Sequence, residues 1–170
     1  RLTRHLLELR YRGTTIDVDG RRVTAGAFPI SIDPKEMSDL AASEPVRARA
    51  RQIREELGNP KTVILGVDRL DYTKGIELRL QAYGELLEAG RLTVPETTLV
   101  QVATPSRERV EHYEGLRTRV EREVGRINGT FGSVGTPAVH YLHQSCDRAE
   151  LVALYCAADV MMVTPLRDGM

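Results

Sequence analysis

Arg69 and Lys74 lie within the stretch Asp68-Arg69-Leu70-Asp71-Tyr72-Thr73-Lys74-Gly75, which follows a short apolar run and precedes a helix-like pattern. Side chains at the end of a buried strand can converge over that end. A helix starting there adds backbone N–H donors and the positive end of its dipole. Two cations in that setting suit a phosphate or a diphosphate. The same residues also fit a plainer arrangement, in which both cations are surface groups paired with Asp68 and Asp71. The GxxxxGK[ST] spacing of a P-loop is absent.

A second candidate is Thr104-Pro105-Ser106-Arg107, where Arg107 opens a helix. The dipole disfavours a cation at that end, so its placement suggests an anionic ligand. The alternative is an exposed arginine paired with Glu108 or Glu111. A third is Arg167-Asp168-Gly169-Met170, in which Asp-Gly before a helix start could present a carboxylate and bare backbone to a polyol; Asp-Gly is also an ordinary turn. His140 and His143 flank Tyr141-Leu142 at strand spacing and read as packing or surface residues, while His5 and His112 carry no partner pattern. No nucleophilic Ser or Cys constellation is visible.

Parallel α/β architecture would place these residues. Thr62–Val67, Thr98–Ala103, Ala138–Leu142 and Asp159–Val163 read as strands, the first two as continuous apolar runs of the kind buried on both faces. Helices are expected over Pro45–Leu57, stopped by Gly58-Asn59-Pro60, over Ile76–Ala89, over Arg107–Ile127, and over Arg148–Ala157 with Asp147 at its start. Asn128–Pro137 is Gly-rich and reads as a loop. Strands alternating with helices imply right-handed crossovers and a parallel sheet. Ligands then bind at the carboxyl ends of the strands, at Asp68–Gly75, Thr104–Arg107, His143–Asp147 and Thr164–Met170. Residues 1–33 differ in character. Thr14–Val18 and Arg22–Phe28 read as a hairpin around Asp19-Gly20. Phe28–Pro34 is an extended linker or crossover, since each proline turns its predecessor away from helix.

The 170 residues allow one domain with a real core, and 41% hydrophobic with 28% charged residues fits a globular chain. Twenty-four Lys and Arg balance 24 Asp and Glu, which gives no electrostatic reason to expect nucleic acid or an anionic membrane as partner. Any anion site must be local. Cys146 and Cys156 form no CxxC and no Cys/His cluster, so zinc is not expected and a reduced, cytoplasmic setting with inert thiols is. No apolar run approaches the roughly 18 residues of a membrane span. The chain opens on Arg1, and its first methionine is Met37. It stops at Met170 inside what reads as a strand-to-helix loop, so a fragment truncated at both ends is expected.

Several segments together resemble the trehalose-6-phosphate synthases: Val67–Ile76, Thr104–Arg107, Gly125-Arg126-Ile127-Asn128-Gly129 and Thr164–Met170. Phe28-Pro29-Ile30-Ser31-Ile32-Asp33 is similar to that family's interdomain segment, with Ser31 where the family often has Gly. The segments keep their order and span nearly the whole chain. The resemblance implies a retaining glucosyltransferase with two Rossmann-like domains facing across a cleft, the GT-B arrangement. Residues 1–33 would be the end of the N-terminal, acceptor-side domain and the crossover. Residues 34–170 would be an incomplete C-terminal domain that binds the nucleotide sugar. It implies transfer from a nucleotide diphosphate glucose, UDP- or GDP-glucose, to glucose 6-phosphate. By the resemblance, Arg69 and Lys74 would contact the donor diphosphate and act in catalysis, and Arg107 would contact the acceptor phosphate. Cys146 would lie where backbone touches the nucleotide, and Asp168, Gly169 and Met170 would line the transferred glucose. It implies no metal or cofactor, small-molecule partners only, a possible homo-oligomer at full length, and an inactive fragment. Two rival readings share these residues: a related transferase with another phosphorylated acceptor, such as a glycerol phosphate, and a non-catalytic regulatory homologue. The second would be expected to lose the charged residues that are present here.

Overall fold

A computed structural model describes residues 11–12, 14–26, 29–106 and 111–167. The chain divides after Pro34 into two compact units. The first contains a three-stranded antiparallel sheet of β1 (Tyr11–Arg12), β2 (Thr15–Val18) and β3 (Arg21–Thr24), in that order. Val18 pairs with Arg21, which leaves Asp19-Gly20 as a two-residue turn. Both take positive φ, 51° and 78°, the twist that suits a right-handed hairpin. The Gly20 amide donates to Asp17 Oδ1 at 3.0 Å. The hairpin therefore forms where the Asp-Gly signal lies, with β1 as an added strand.

The second unit holds α1 (Pro34–Ala42), α2 (Glu44–Glu56), β4 (Thr62–Arg69), α3 (Ile76–Glu88), β5 (Thr97–Thr104), α4 (Glu111–Phe131), β6 (Val139–Leu142), α5 (Arg148–Ala157) and β7 (Val160–Met161). Its sheet is parallel, in the order β6-β5-β4-β7. The chain steps outward from β4 to β5 to β6, then returns to lay β7 on the other side of β4. That reversal is a topological switch point, and the crevice outside the carboxyl ends of β4 and β7 is where open α/β sheets bind ligands.

The strand alternation builds two cores. Ile64, Leu99 and Val139 pack with Ile76, Leu80, Tyr83 and Leu87 of α3 and with Leu116, Val120 and Ile127 of α4. Val63, Leu65, Val100 and Val102 face Val46, Ala50 and Ile53 of α2 and Val152, Ala153 and Leu154 of α5. Both faces are covered, which is why β4 and β5 read as unbroken apolar runs. Helix ends follow local chemistry. After α2, Gly58 N–H donates to the Glu55 carbonyl and Asn59 N–H to that of Arg54, a Schellman closure. Asp147 caps α5 through Oδ1 to the Glu150 amide at 2.8 Å.

β7 is shorter than the expected Asp159–Val163 and β3 ends at Thr24, and three larger differences from expectation follow. α1 was not foreseen: none of its residues is fully buried, and only the short stripe of Met37, Leu40 and Ala41 packs against the second core. α4 runs on to Phe131 through residues expected in a loop. Asn128 explains this extension, because its side chain donates to the Val139 carbonyl at 2.9 Å and accepts the Val139 amide at 2.8 Å. The helix end thereby pairs with the start of β6 as a neighbouring strand would. β4 continues to Arg69, because its ladder with β5 extends to Arg69 opposite Thr104, and the Leu70 amide still donates to the Thr104 carbonyl. Among the described residues, no helix is long and apolar enough to cross a membrane.

Candidate functional site

Arg69 is the last residue of β4, not a member of the loop. Its side chain is 52% exposed, with Nη2 3.9 Å from Asp71 Oδ2. An ion pair that long and that exposed holds the guanidinium weakly and leaves it able to meet another anion. Asp71 is itself buried and has a second task. Its Oδ1 accepts the Thr73 amide at 2.9 Å and the Thr73 hydroxyl at 2.8 Å. This capping starts the single 3-10 turn Tyr72–Lys74, so one carboxylate both orients Arg69 and shapes the turn that ends on Lys74. Gly75 follows with φ of 67° and launches α3, whose first turn has no side-chain cap. The amides of that turn direct positive potential toward the strand end.

The loop after β7 docks onto this turn. The amides of Leu166 and Arg167 donate to the Thr73 carbonyl at 2.8 and 3.3 Å. Gly75 is required at the contact: a Cβ there would lie 2.5 Å from the Thr164 carbonyl oxygen. The two loops of the switch point are thus joined through backbone.

Beneath them lies a residue that sequence reasoning passed over. Arg79, on α3, has a fully buried side chain. Its Nη1 donates to Asp68 Oδ2 and to Gln101 Oε1, both at 2.7 Å, and its Nε donates to Thr164 Oγ1 at 3.1 Å. Asp68 therefore serves Arg79, and the expected alternative of Asp68 pairing with the strand-end cations does not describe its strong contact. The signal was present in the sequence. Arg79 falls three residues after Ile76 and four before Tyr83, on the apolar stripe of α3, where a charge needs a buried partner.

Of the other candidates, Cys146 is partly buried beyond the carboxyl end of β6, packed against the core between the sheet and α5. Burial, then the nearby Glu150 and Asp147 carboxylates, push its thiol pKa up, which suppresses thiolate. His143 Nδ1 lies 3.0 Å from the Ala103 carbonyl, and its ring stacks on Tyr141 with centroids 6.3 Å apart. A carbonyl only accepts, so Nδ1 carries the proton. Arg69, Lys74 and Cys146 thus share the carboxyl edge of the sheet. Arg107, Asp168, Gly169 and Met170 lie outside the described residues. Among the described residues, no group of three His, Cys, Asp or Glu could hold a metal ion.

With this geometry in place, similarity to known proteins decides the family. The family model of glycosyltransferase family 20 matches residues 1–170. The chain belongs to that family. It is 59% identical over 162 residues to a trehalose-6-phosphate synthase of Mycobacterium sp. (strain JLS), covering 95% of this chain and 34% of that protein. In structure it is similar to an alpha,alpha-trehalose-phosphate synthase (UDP-forming) from Burkholderia xenovorans in complex with glucose-6-phosphate. There the TM-score is 0.84 at 37% identity, over 92% of this chain and 34% of that one. A second solved structure, described as trehalose-6-phosphate from E. coli bound with UDP-2-fluoro glucose, gives a TM-score of 0.84 at 37% identity, over 95% of this chain and 36% of the other. The chain spans about a third of the length of the relatives it matches. Within family 20, both the resemblance in its sequence segments and the expected Rossmann-like parallel sheet hold.

Proposed function

We propose that this chain supplies the donor side of an enzyme that moves glucose from a nucleotide diphosphate glucose to glucose 6-phosphate, giving trehalose 6-phosphate with retention at the anomeric carbon. The observation that carries the reading is the strand-end arrangement at the switch point. Arg69 closes β4, Lys74 closes an Asp71-capped turn, and the uncapped start of α3 adds its amides. All of it stands in a chain of glycosyltransferase family 20 whose similar proteins include trehalose-6-phosphate synthases.

Breaking the anomeric C–O bond leaves additional negative charge on the diphosphate. Cations fixed where that charge grows stabilise the transition state more than the bound substrate. Arg69 and Lys74 fill this role in the proposal, without a metal. The leaving phosphate oxygen takes the acceptor hydroxyl's proton on the same face of the sugar, so no protein nucleophile enters. Arg107 holds the acceptor phosphate and fixes the attacking hydroxyl near the anomeric carbon, a proximity effect. Backbone near Cys146 meets the nucleotide, and Asp168, Gly169 and Met170 line the glucose. The enzyme acts in the cytoplasm on small molecules. Spanning about a third of its relatives, the chain by itself is inactive.

The test is transfer by the full-length protein from UDP-, GDP- and ADP-glucose to glucose 6-phosphate, with product stereochemistry read by NMR. Formation of α,α-linked trehalose 6-phosphate supports the reading. Turnover with glycerol 3-phosphate and none with glucose 6-phosphate would replace the acceptor.

A further inference from the structure

A charged helix residue ordinarily points to solvent, and Arg79 does the opposite. Burying a guanidinium costs several kcal/mol unless it is paired and hydrogen-bonded, and an apolar residue of similar volume often serves stability as well or better. Among the described residues, Arg79 has one carboxylate partner, Asp68, whose side chain is 11% exposed. Its Nη2 is buried with no hydrogen-bond partner among the described residues. Room for the guanidinium is made at Gly66, where a Cβ would lie 2.2 Å from Nη1 and 2.5 Å from Gln101 Oε1. A central strand thus gives up a side chain to admit a charge that is not fully satisfied. Stability alone does not account for that combination.

Placement does account for it. The three acceptors of Arg79 come from three separate elements: Asp68 from the end of β4, Gln101 from β5 and Thr164 from the loop after β7. Asp68 directly precedes Arg69. Thr164 directly precedes the residues whose amides dock on Thr73, and it stands four positions before Asp168. The planar fork of arginine fixes distance and angle to several acceptors at once, which lysine cannot do.

We propose that Arg79 is a positioning residue: it sets the loop after β7 against the end of β4, and so fixes where the glucose-side loop stands relative to the diphosphate grip. Arg79 touches neither substrate; it acts through Asp68 and Thr164. The kinetic consequence rests on the donor reading above, whereas the structural consequence does not.

The experiment uses the full-length protein with Thr164→Val, which removes the acceptor of Nε at nearly constant shape, and Arg79→Lys, which keeps the charge and loses the fork. Two readouts are taken: amide hydrogen exchange, and KM and kcat for UDP-glucose and for glucose 6-phosphate. In Thr164→Val, exchange at Leu166 and Arg167 should accelerate about tenfold, the scale of one lost hydrogen bond to a charged group. Exchange at Val152 and Leu154, across the sheet, should not change. kcat/KM for the nucleotide sugar should fall about tenfold with the KM for glucose 6-phosphate within about twofold of wild type. Arg79→Lys should do the same more strongly; if it fails to fold, Thr164→Val carries the test. Unchanged exchange at Leu166 and Arg167 would overturn the positioning role. So would accelerated exchange with unaltered donor kinetics. If the wild-type protein turns over no nucleotide sugar, the donor reading fails, and the exchange data still decide whether Arg79 positions the loop.

Discussion

The amide of Leu166 donates to the carbonyl of Thr73 at 2.8 Å. This bond joins the loop after β7 to the turn after β4, on opposite sides of the switch-point crevice. It depends on close backbone approach at Gly75, where φ is 67° and a Cβ would meet the Thr164 carbonyl oxygen at 2.5 Å. Gly75→Ala should therefore combine the left-handed penalty of about 1–2 kcal/mol with separation of the two loops. The expected outcome is a lowered Tm together with faster amide exchange at Leu166. A variant with wild-type exchange at Leu166 would show that the loops do not need this contact.

Gly66 makes the equivalent demand inside the sheet. Gly66→Ala would place a Cβ against Arg79 and Gln101, forcing a buried ion pair and a buried amide out of register. Overpacking costs of about 1–3 kcal/mol should add to the loss of a hydrogen bond between Arg79 and Asp68. Thermal unfolding of the full-length variant should show a clearly lower Tm than that of Gly125→Ala, whose Cβ meets open space.

Asp71 separates two roles that its variants can resolve. Asp71→Asn keeps an oxygen to accept from Thr73, while Asp71→Ala loses the cap, at about 1 kcal/mol. Tm should fall in the alanine variant and stay near wild type in the asparagine variant. Both remove the carboxylate 3.9 Å from Arg69, so both should alter KM for the nucleotide sugar. An effect confined to the alanine variant would mean that Arg69 is oriented by something other than Asp71.

Stability should also depend on pH through His140, which lines a cleft with Arg49, Glu56 and Glu150. Burial lowers its pKa below the ordinary 6.5, so the folded state favours the neutral ring. The unfolded chain takes up the proton first as pH falls. The contribution of His140 is therefore fully present above about pH 6.5 and is lost as pH drops toward and through the folded value. Asp159 acts lower on the scale. Its carboxyl is held below 3.8 chiefly by the Val63 amide, with Arg54 assisting, so its contribution is lost only in stronger acid. Denaturation midpoints should decline in the wild type as pH falls from about 7 to about 5, and this dependence should flatten in His140→Gln. An unchanged slope in that variant would assign the decline to another group.

The sequence disclosed whatever depends on neighbours along the chain. Asp19-Gly20 marked the hairpin turn and Asp147 the start of α5, since both act within three residues. The runs at β4 and β5 were legible because burial on both faces removes polar residues altogether. What stayed hidden depends on distant partners. Asn128 looked like a loop residue until β6 lay beside it. Arg69 looked like a loop cation because the last rung of β4 is supplied by Thr104, 35 residues on. Arg79 stands out on the apolar stripe of α3, but its partners come from β4, β5 and the loop after β7. The cations of the site were visible as types; the partners of the buried arginine beneath them were not.

Arg69 and Lys74 are the groups proposed to meet charge on the leaving diphosphate. The most direct measurement is kcat for glucose transfer from UDP-glucose to glucose 6-phosphate by full-length Arg69→Ala and Lys74→Ala, with Tm recorded alongside. A fall of at least about 100-fold is expected in each variant, with Tm close to wild type in Arg69→Ala because Arg69 is exposed and its ion pair with Asp71 is long. Turnover near the wild-type rate in both variants would contradict this role.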